Sequence, residues 1–114
     1  MEANRALRDK LGSFGKEVIL PVTIGWDPRP RFNDPEIGLM YRGGPWYAAP
    51  SPGEITQNIL SANEWMSRHP DCAKLRIVSI YAWNEYDEGL RLSPGLDDGD
   101  SRLKAVKQAK ELIR

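Results

Sequence analysis

The sequence predicts an α/β fold in which helices alternate with parallel strands. Two runs of apolar and β-branched residues, 18–24 and 75–83, lie on either side of an amphipathic segment, and a second amphipathic segment follows. Alternation of strands with helices is typical of βαβ units and parallel sheets. Because both runs are almost continuously apolar, we expect strands buried on both faces, with Tyr81 in the core.

The first two elements are predicted to be a short helix and a strand. Apolar residues recur every four positions in residues 1–11 and Gly12 follows, a pattern typical of a helix and its end. The strand over residues 18–24 contains Pro21. Because proline lacks a backbone N–H, we expect a bulge or an unpaired edge there.

The second helix has a strong start signal. Ser51, Pro52 and Glu54 form the pattern of a capping box with proline in the first turn. Pro70 disfavours helical geometry at the residue before it, so we expect the helix to span residues 51–68. We expect it to join the two strands in a right-handed crossover.

Two further segments complete the chain. A last helix is predicted after the acidic turn of residues 97–100, with Asp100 or Ser101 as its cap. Residues 25–52 are predicted to form an ordered loop, because disordered linkers contain few aromatic residues. The aromatic residues of this loop are Trp26, Phe32, Tyr41, Trp46 and Tyr47.

The number of strands indicates a part of a larger fold. Two strands buried on both faces do not make an independent sheet, whereas a (β/α)8 TIM barrel has eight βα units in about 250 residues. We therefore predict that residues 1–114 form one segment, the last two βα units of a TIM barrel, incomplete by itself. A longer chain or partner chains would supply the rest, and we expect the isolated chain to oligomerise, to aggregate or to remain partly molten.

The amino-acid composition argues against several classes of function. Sixteen Lys and Arg balance sixteen Asp and Glu, so no positive surplus favours nucleic acid, and no apolar run reaches the roughly 20 residues of a membrane span. Cys72 and His69 are single residues of their types, which argues against disulfides, zinc sites and Ser-His-Asp triads. We expect any acid–base chemistry to depend on carboxylates, with no metal or organic cofactor.

Polar residues follow both predicted strands, at 25–31 and 84–89. In a TIM barrel the active residues lie at such strand ends. Glu85, Asp87 and Glu88 fall within four positions, and their repulsion favours one protonated acid beside an ionised carboxylate, the combination that glycoside cleavage needs. A solvated acidic loop is the alternative interpretation.

Aromatic and polar side chains in the same segments suit a sugar ligand. Trp and Tyr rings offer flat apolar faces, and Asn84 and Asp27 offer hydrogen bonds to hydroxyl groups. Arg29 and Arg31 could pair with the carboxylates or with an anionic sugar, and solvation at the surface is the alternative interpretation. For Trp26 the alternative is that it packs into the mouth of the barrel.

Residues 81–89, which read YAWNEYDEG, resemble the end of the last barrel strand in glycoside hydrolase family 99-like and family 71/99-like proteins, including the WbsX-type proteins of polysaccharide gene clusters. Those families carry a motif (A/F)-(W/F)-N-E-W-x-E-G at this place. They also carry Gly-Trp-Asp followed by arginine after the preceding strand, which residues 25–27 and Arg29 match. The resemblance covers the chain from about residue 18 onward.

The resemblance implies a (β/α)8 barrel that hydrolyses α-mannosides with retention of configuration, using two carboxylates of this motif. If the family roles apply to the matching positions of this sequence, Glu85 assists through the sugar 2-hydroxyl, and Glu88 is the acid/base at the glycosidic oxygen. Asp87 is expected to face away from this pair. The residues expected to bind the sugar are Asn84, Trp26, Asp27, Arg29 and Tyr86.

Two departures from the family pattern leave the sugar and the linkage open. Tyr86 replaces the usual Trp, and residues 90–94 lack the acidic residue that many relatives have before the proline. The alternatives to a hydrolase are a WbsX-type polysaccharide-biosynthesis protein and a non-catalytic barrel fragment or carbohydrate-binding remnant.

Overall fold

A computed structural model describes residues 2–33 and 43–113 of the chain. Within these ranges the protein is a small α/β domain with three helices, two parallel strands and a short antiparallel hairpin. Two 3-10 turns, Arg29–Asn33 and Tyr86–Glu88, lie in the loops that follow the parallel strands. The other elements are α1 (Glu2–Gly12), β1 (Leu20–Thr23), α2 (Pro52–Arg68), β2 (Val78–Tyr81), β3 (Asn84–Glu85), β4 (Leu90–Arg91) and α3 (Ser101–Leu112).

The predicted parallel pairing of the two main strands is confirmed. Leu20 lies opposite Val78 and Thr23 lies opposite Tyr81, so β1 and β2 end at the same edge of the sheet. Each strand has four residues and is shorter than predicted, with the flanking apolar residues outside the ladder. The helix α2 lies between them in the chain, as predicted.

The predicted start of α2 is confirmed in atomic detail. The Ser51 hydroxyl accepts a hydrogen bond from the Glu54 N–H at 3.3 Å, and the Glu54 carboxylate accepts one from the Ser51 N–H at 2.8 Å. These bonds satisfy donors that have no partner within the helix. The bond from the Ser51 backbone also holds the pKa of Glu54 below its usual value. The last helical residue is Arg68, and His69 caps the end.

The core lies on one side of the parallel sheet. Leu20, Val22 and Ile24 are fully buried, and α2 packs on both strands and against α3. The sheet, α2 and α3 share one apolar cluster, which contains buried residues of all three. The helix residues are Ile55, Ile59, Ala62, Trp65, Met66, Ala105 and Ala109.

In the described ranges the two strands are covered on one face only. Burial on both faces is the prediction for a complete barrel, and a segment that is incomplete by itself leaves one apolar face open. Ile19, Ile77 and Tyr81 lie on the sheet face away from the helices and are each about half exposed. Successive side chains of a strand point to opposite faces, and the described helices cover one face only. Tyr81 is therefore at the surface instead of in the core. An apolar run predicts a strand but does not reveal whether a second layer covers it.

Pro21 lies on the edge of β1 that has no partner strand among the described residues, which is one of the two expected outcomes. The Leu20 N–H donates to the Ile77 carbonyl at 3.1 Å, so the next residue faces away from β2. The missing N–H of Pro21 therefore lies on the open side of β1, and the ladder to β2 continues through it without a bulge.

A buried arginine fixes α1 against α2. Arg8 is almost fully buried and donates to the Ser61 hydroxyl at 2.9 Å and to the Asn58 carbonyl at 3.2 Å. Burial lowers the pKa of Arg8 from its usual value. The Asn58 amide in turn donates to the Thr23 carbonyl at 3.3 Å, which ties both helices to the end of β1.

The remaining segments differ from the predictions in detail. Asp100 lies at the cap position of α3, as predicted, but its carboxylate pairs with Lys104 at 2.9 Å and does not cap the helix. Tyr41 and the rest of 34–42 lie outside the described residues, so order in that part of the loop stays a prediction. None of the helices in the two described ranges is both long and apolar enough to span a membrane.

Candidate active site

The candidate site lies where the two parallel strands end. The loop after β1 and the hairpin after β2 meet there, because Thr23 and Tyr81 are partners in the ladder. The Asp27 N–H donates a hydrogen bond of 2.8 Å to the Glu88 carbonyl. The two polar segments singled out in the sequence therefore form one continuous surface.

Gly89 allows the two segments to approach closely. Its φ of 65° is in the left-handed region, and a Cβ atom at this position would lie 3.2 Å from the Asp27 Cβ. Its N–H closes the 3-10 turn by donating to the Tyr86 carbonyl at 3.1 Å. Both the left-handed conformation and the limited space favour glycine at this position.

The hairpin that carries the acidic residues was not predicted. Asn84 pairs with Arg91 and Glu85 pairs with Leu90, and the 3-10 turn lies between these pairs. The Trp83 carbonyl accepts hydrogen bonds from the N–H groups of Leu92 and Ser93, which follow β4. The peptide bond between Tyr81 and Ala82 is cis. Two-residue strands give no periodic signal, so this hairpin could not be read from the sequence.

Arg31 lies among the three carboxylates of the hairpin. Its Nε lies 2.6 Å from Asp87 Oδ2, its Nη1 lies 2.5 Å from Glu88 Oε1, and its Nη2 lies 3.7 Å from Glu85 Oε2. The Arg31 side chain is only 22% exposed. The pairing of this arginine with carboxylates is one of the three outcomes that the sequence left open.

The guanidinium of Arg31 reduces the repulsion that the closeness of the three carboxylates alone would predict. Repulsion among the three carboxylates is offset by a positive charge that faces all of them. The hydrogen bond from Arg31 holds the pKa of Asp87 below its usual value. Asp87 therefore shares a partner with Glu88, and the expectation that it faces away is wrong.

The two candidate catalytic residues have different surroundings. The Glu88 side chain is 7% exposed, and its second oxygen, Oε2, accepts a long hydrogen bond of 3.4 Å from the Tyr81 hydroxyl. Partial burial and the charges of Glu88 and Glu85 raise the pKa of Tyr81. Glu85 lies at the end of β3 with a side chain that is 41% exposed. The site therefore combines one enclosed carboxylate with one open to solvent.

Asp27 and Arg29 form a second ion pair beside the first. Two bonds of 2.6 Å join the Arg29 Nε and Nη2 to the two oxygens of Asp27, and they hold the pKa of Asp27 below its usual value. The Arg29 guanidinium also lies 3.7 Å from the ring centroid of Trp46. This stacking favours a fixed orientation for both side chains.

The other three predicted sugar-binding residues lie in the same two segments as the ion pairs. Trp26 is half-buried against the core, and its carbonyl accepts a hydrogen bond of 2.6 Å from the Tyr47 N–H. Asn84 is exposed on β3. The Tyr86 ring is about half exposed, and its hydroxyl lies 2.7 Å from the Ser93 hydroxyl.

Sequence reasoning missed Tyr81 and Trp46 as site residues. Tyr81 could have been found from the alternation of side chains in β2, which places it on the face opposite Ile80. Trp46 is distant in the chain from Arg29, and no short-range pattern connects the two. Within residues 2–33 and 43–113 no group of three His, Cys, Asp or Glu side chains is arranged to hold a metal ion.

No family model, curated protein or solved structure matches this chain.

Proposed function

We propose that residues 1–114 form the last two βα units of a TIM-barrel glycoside hydrolase, with Glu85 and Glu88 as the catalytic pair. The observation that carries the proposal is the convergence of these two carboxylates on one guanidinium at the shared end of two parallel strands. Strand ends of this kind are where barrel enzymes place catalytic groups. The resemblance of residues 81–89 to the family motif supports the same pair.

The one-sided core supports the barrel part of the proposal. In a TIM barrel, helices cover one face of each strand, and the other face fills the barrel interior. Here α2 covers one face, whereas Ile19, Ile77 and Tyr81 remain exposed on the other. These three side chains are the ones that a complete barrel would bury.

The two carboxylates suit the two proton transfers of retaining hydrolysis. Glu88 gives its proton to the glycosidic oxygen as the bond from that oxygen to the anomeric carbon breaks, and Glu85 takes the proton of the sugar 2-hydroxyl as the 2-oxygen bonds to the same carbon. Water then bonds to the anomeric carbon and the bond to the 2-oxygen breaks. Glu88 takes a proton from that water, and Glu85 returns its proton to the 2-oxygen. Both carboxylates end as they began, so neither a metal nor an organic cofactor is required.

The test is release of reducing sugar from α-mannosides and a wider glycan panel by the full-length protein that carries these residues. Glu85→Gln and Glu88→Gln should each lower kcat by about 100- to 10,000-fold, because glutamine keeps the shape but cannot exchange a proton. Glu111→Gln is the matched control, since Glu111 is exposed on α3. Losses below about tenfold at both positions would mean that the hairpin is a solvated acidic loop.

A binding measurement separates the hydrolase from a carbohydrate-binding remnant. A hydrolase should release product from a glycan that it binds, and Glu88→Gln should retain the binding. A wild-type protein that binds glycans without releasing sugar would instead favour the remnant.

A further inference from the structure

We propose that Arg31 is the positioning residue of this site, an inference that rests on the proposed function. Its guanidinium holds Glu88 in the orientation in which that residue exchanges a proton with the substrate, and it keeps Glu85 alongside. Asp87 is the third partner, and it fixes the guanidinium without taking part in the chemistry.

The burial of Glu88 makes a partner necessary. Once Glu88 has given up its proton it is a carboxylate, and a carboxylate removed from water is stable only when it is paired and hydrogen-bonded. Glu88 is also the least exposed of the three acidic side chains. Its Oε1 lies in the short contact of 2.5 Å with Arg31, whereas its Oε2 has the long bond of 3.4 Å from Tyr81. Because hydrogen bonds weaken at such lengths, Oε2 is the oxygen left for proton exchange.

The backbone around Arg31 is fixed relative to Glu88. The Arg31 N–H donates to the Pro28 carbonyl at 2.9 Å, and Pro28 is fully buried. The neighbouring Asp27 N–H donates to the Glu88 carbonyl. The arginine and the carboxylate are therefore joined both through the main chain and through their side chains, so the side-chain contact is set by the fold.

The guanidinium shape is essential to this role. Three different nitrogens of Arg31 face three different carboxylates, at 2.6, 2.5 and 3.7 Å. A lysine has a single ammonium group on a flexible stem and cannot hold this arrangement. Arg29 does not duplicate the function, because both of its short bonds go to Asp27 within its own loop. Arg31→Lys therefore keeps the positive charge at this position but removes the planar guanidinium that contacts the three carboxylates.

The experiment measures kcat and KM for Arg31→Lys and Arg31→Ala in the full-length protein. Displacement of a reacting group by about 1 Å costs on the order of 100-fold in rate, so Arg31→Lys should lower kcat by about that factor and leave KM nearly unchanged. Guanidinium ions added to Arg31→Ala should restore part of the lost kcat, and ammonium ions should not. Arg68→Lys is the control, because Arg68 lies on α2 with a loose contact of 3.8 Å to Glu64.

The outcomes distinguish this inference from the proposed function. If Glu85→Gln and Glu88→Gln abolish hydrolysis but Arg31→Lys keeps the wild-type kcat, only the role of Arg31 is wrong. If the Glu variants keep activity, or the wild type hydrolyses no glycan, the proposed function fails and this inference fails with it. If Arg31→Ala does not fold, Arg31→Lys decides the question, because it retains the positive charge that the carboxylates need.

Discussion

At the scale of single residues, one guanidinium changes the chemistry that three neighbouring carboxylates would otherwise have. Counting Glu85, Asp87 and Glu88 in the sequence predicts repulsion, and repulsion favours a bound proton. Arg31 is 54 to 57 positions away in the chain, and its contacts lower the pKa of Asp87. Spacing along the chain identified the acidic residues but carried no information about a cation from another loop.

Gly89 gives a prediction at the same scale. Gly89→Ala should destabilise the protein by roughly 1–2 kcal/mol for the left-handed conformation, and further because the new methyl group would meet the Asp27 Cβ at 3.2 Å. Gly99→Ala is the matched control: Gly99 has a φ of 53° but open space around it. Urea unfolding should show a larger loss for Gly89→Ala, and equal losses would mean that the contact with Asp27 does not matter.

At the scale of elements, the capping box of α2 is the feature that local sequence predicts best. Ser51, Pro52 and Glu54 interact within four positions, so no knowledge of the rest of the fold is needed. The pairing of β1 with β2 was also predictable, because a helix between two apolar runs favours a parallel crossover. The hairpin of β3 and β4 was not predictable, since strands of two residues give no periodic signal.

The cap is also testable as an element. Ser51→Ala should lower the free energy of unfolding by about 1 kcal/mol, because it leaves N–H groups at the helix start without an acceptor. Gln57→Ala, at an exposed position inside the same helix, should cost little, since alanine favours helices. Similar losses for the two variants in chemical denaturation would contradict a capping role.

The carboxylate of Asp98 joins the hairpin to α3, and the ion pairs that it forms should be sensitive to acid. Asp98 Oδ1 lies 2.8 Å from Arg91 on β4, and its Oδ2 lies 3.0 Å from Arg102 on α3. The hydrogen bond from Arg91, followed by that from Arg102, holds the pKa of Asp98 below its usual value. The stabilisation that these ion pairs contribute is therefore fully present above the unfolded-state pKa of about 3.9. It is lost as the pH falls through the lower folded-state pKa.

Unfolding free energies measured over a pH series should show this dependence. Asp98→Asn should destabilise the protein near neutral pH and should lose less stability on acidification than the wild type does. Asp97→Asn, at the exposed neighbouring position, should follow the wild-type curve. If Asp98→Asn retains the full acid sensitivity of the wild type, the contact with the two arginines does not contribute to it.

At the scale of the whole molecule, the sheet face that residues 2–33 and 43–113 leave uncovered determines how the chain behaves in solution. Ile19 and Ile77 lie side by side on the uncovered face, since their neighbours Leu20 and Val78 are ladder partners. Exposed strand edges beside an apolar face promote association with other chains. The isolated chain should therefore show a mass that rises with concentration in sedimentation or light scattering.

A charge on that face tests the cause of the association. Ile77→Lys should shift the equilibrium towards the monomer, because a charged side chain cannot be buried in the contact without cost. Leu96→Lys is the control, as Leu96 is fully exposed in the turn before α3. A wild-type chain that is a cooperatively folding monomer at all concentrations would contradict the prediction.

The close approach of Asp27 and Gly89 has a consequence for engineering. Main-chain bonding and the absence of a Cβ at Gly89 interlock the two segments at the strand ends, so neither can be exchanged alone. A graft that replaced only the segment around Asp27 would place new side chains against a hairpin whose shape fits the original segment. A change of ligand preference in this scaffold therefore requires the joint transfer of both segments as one cassette.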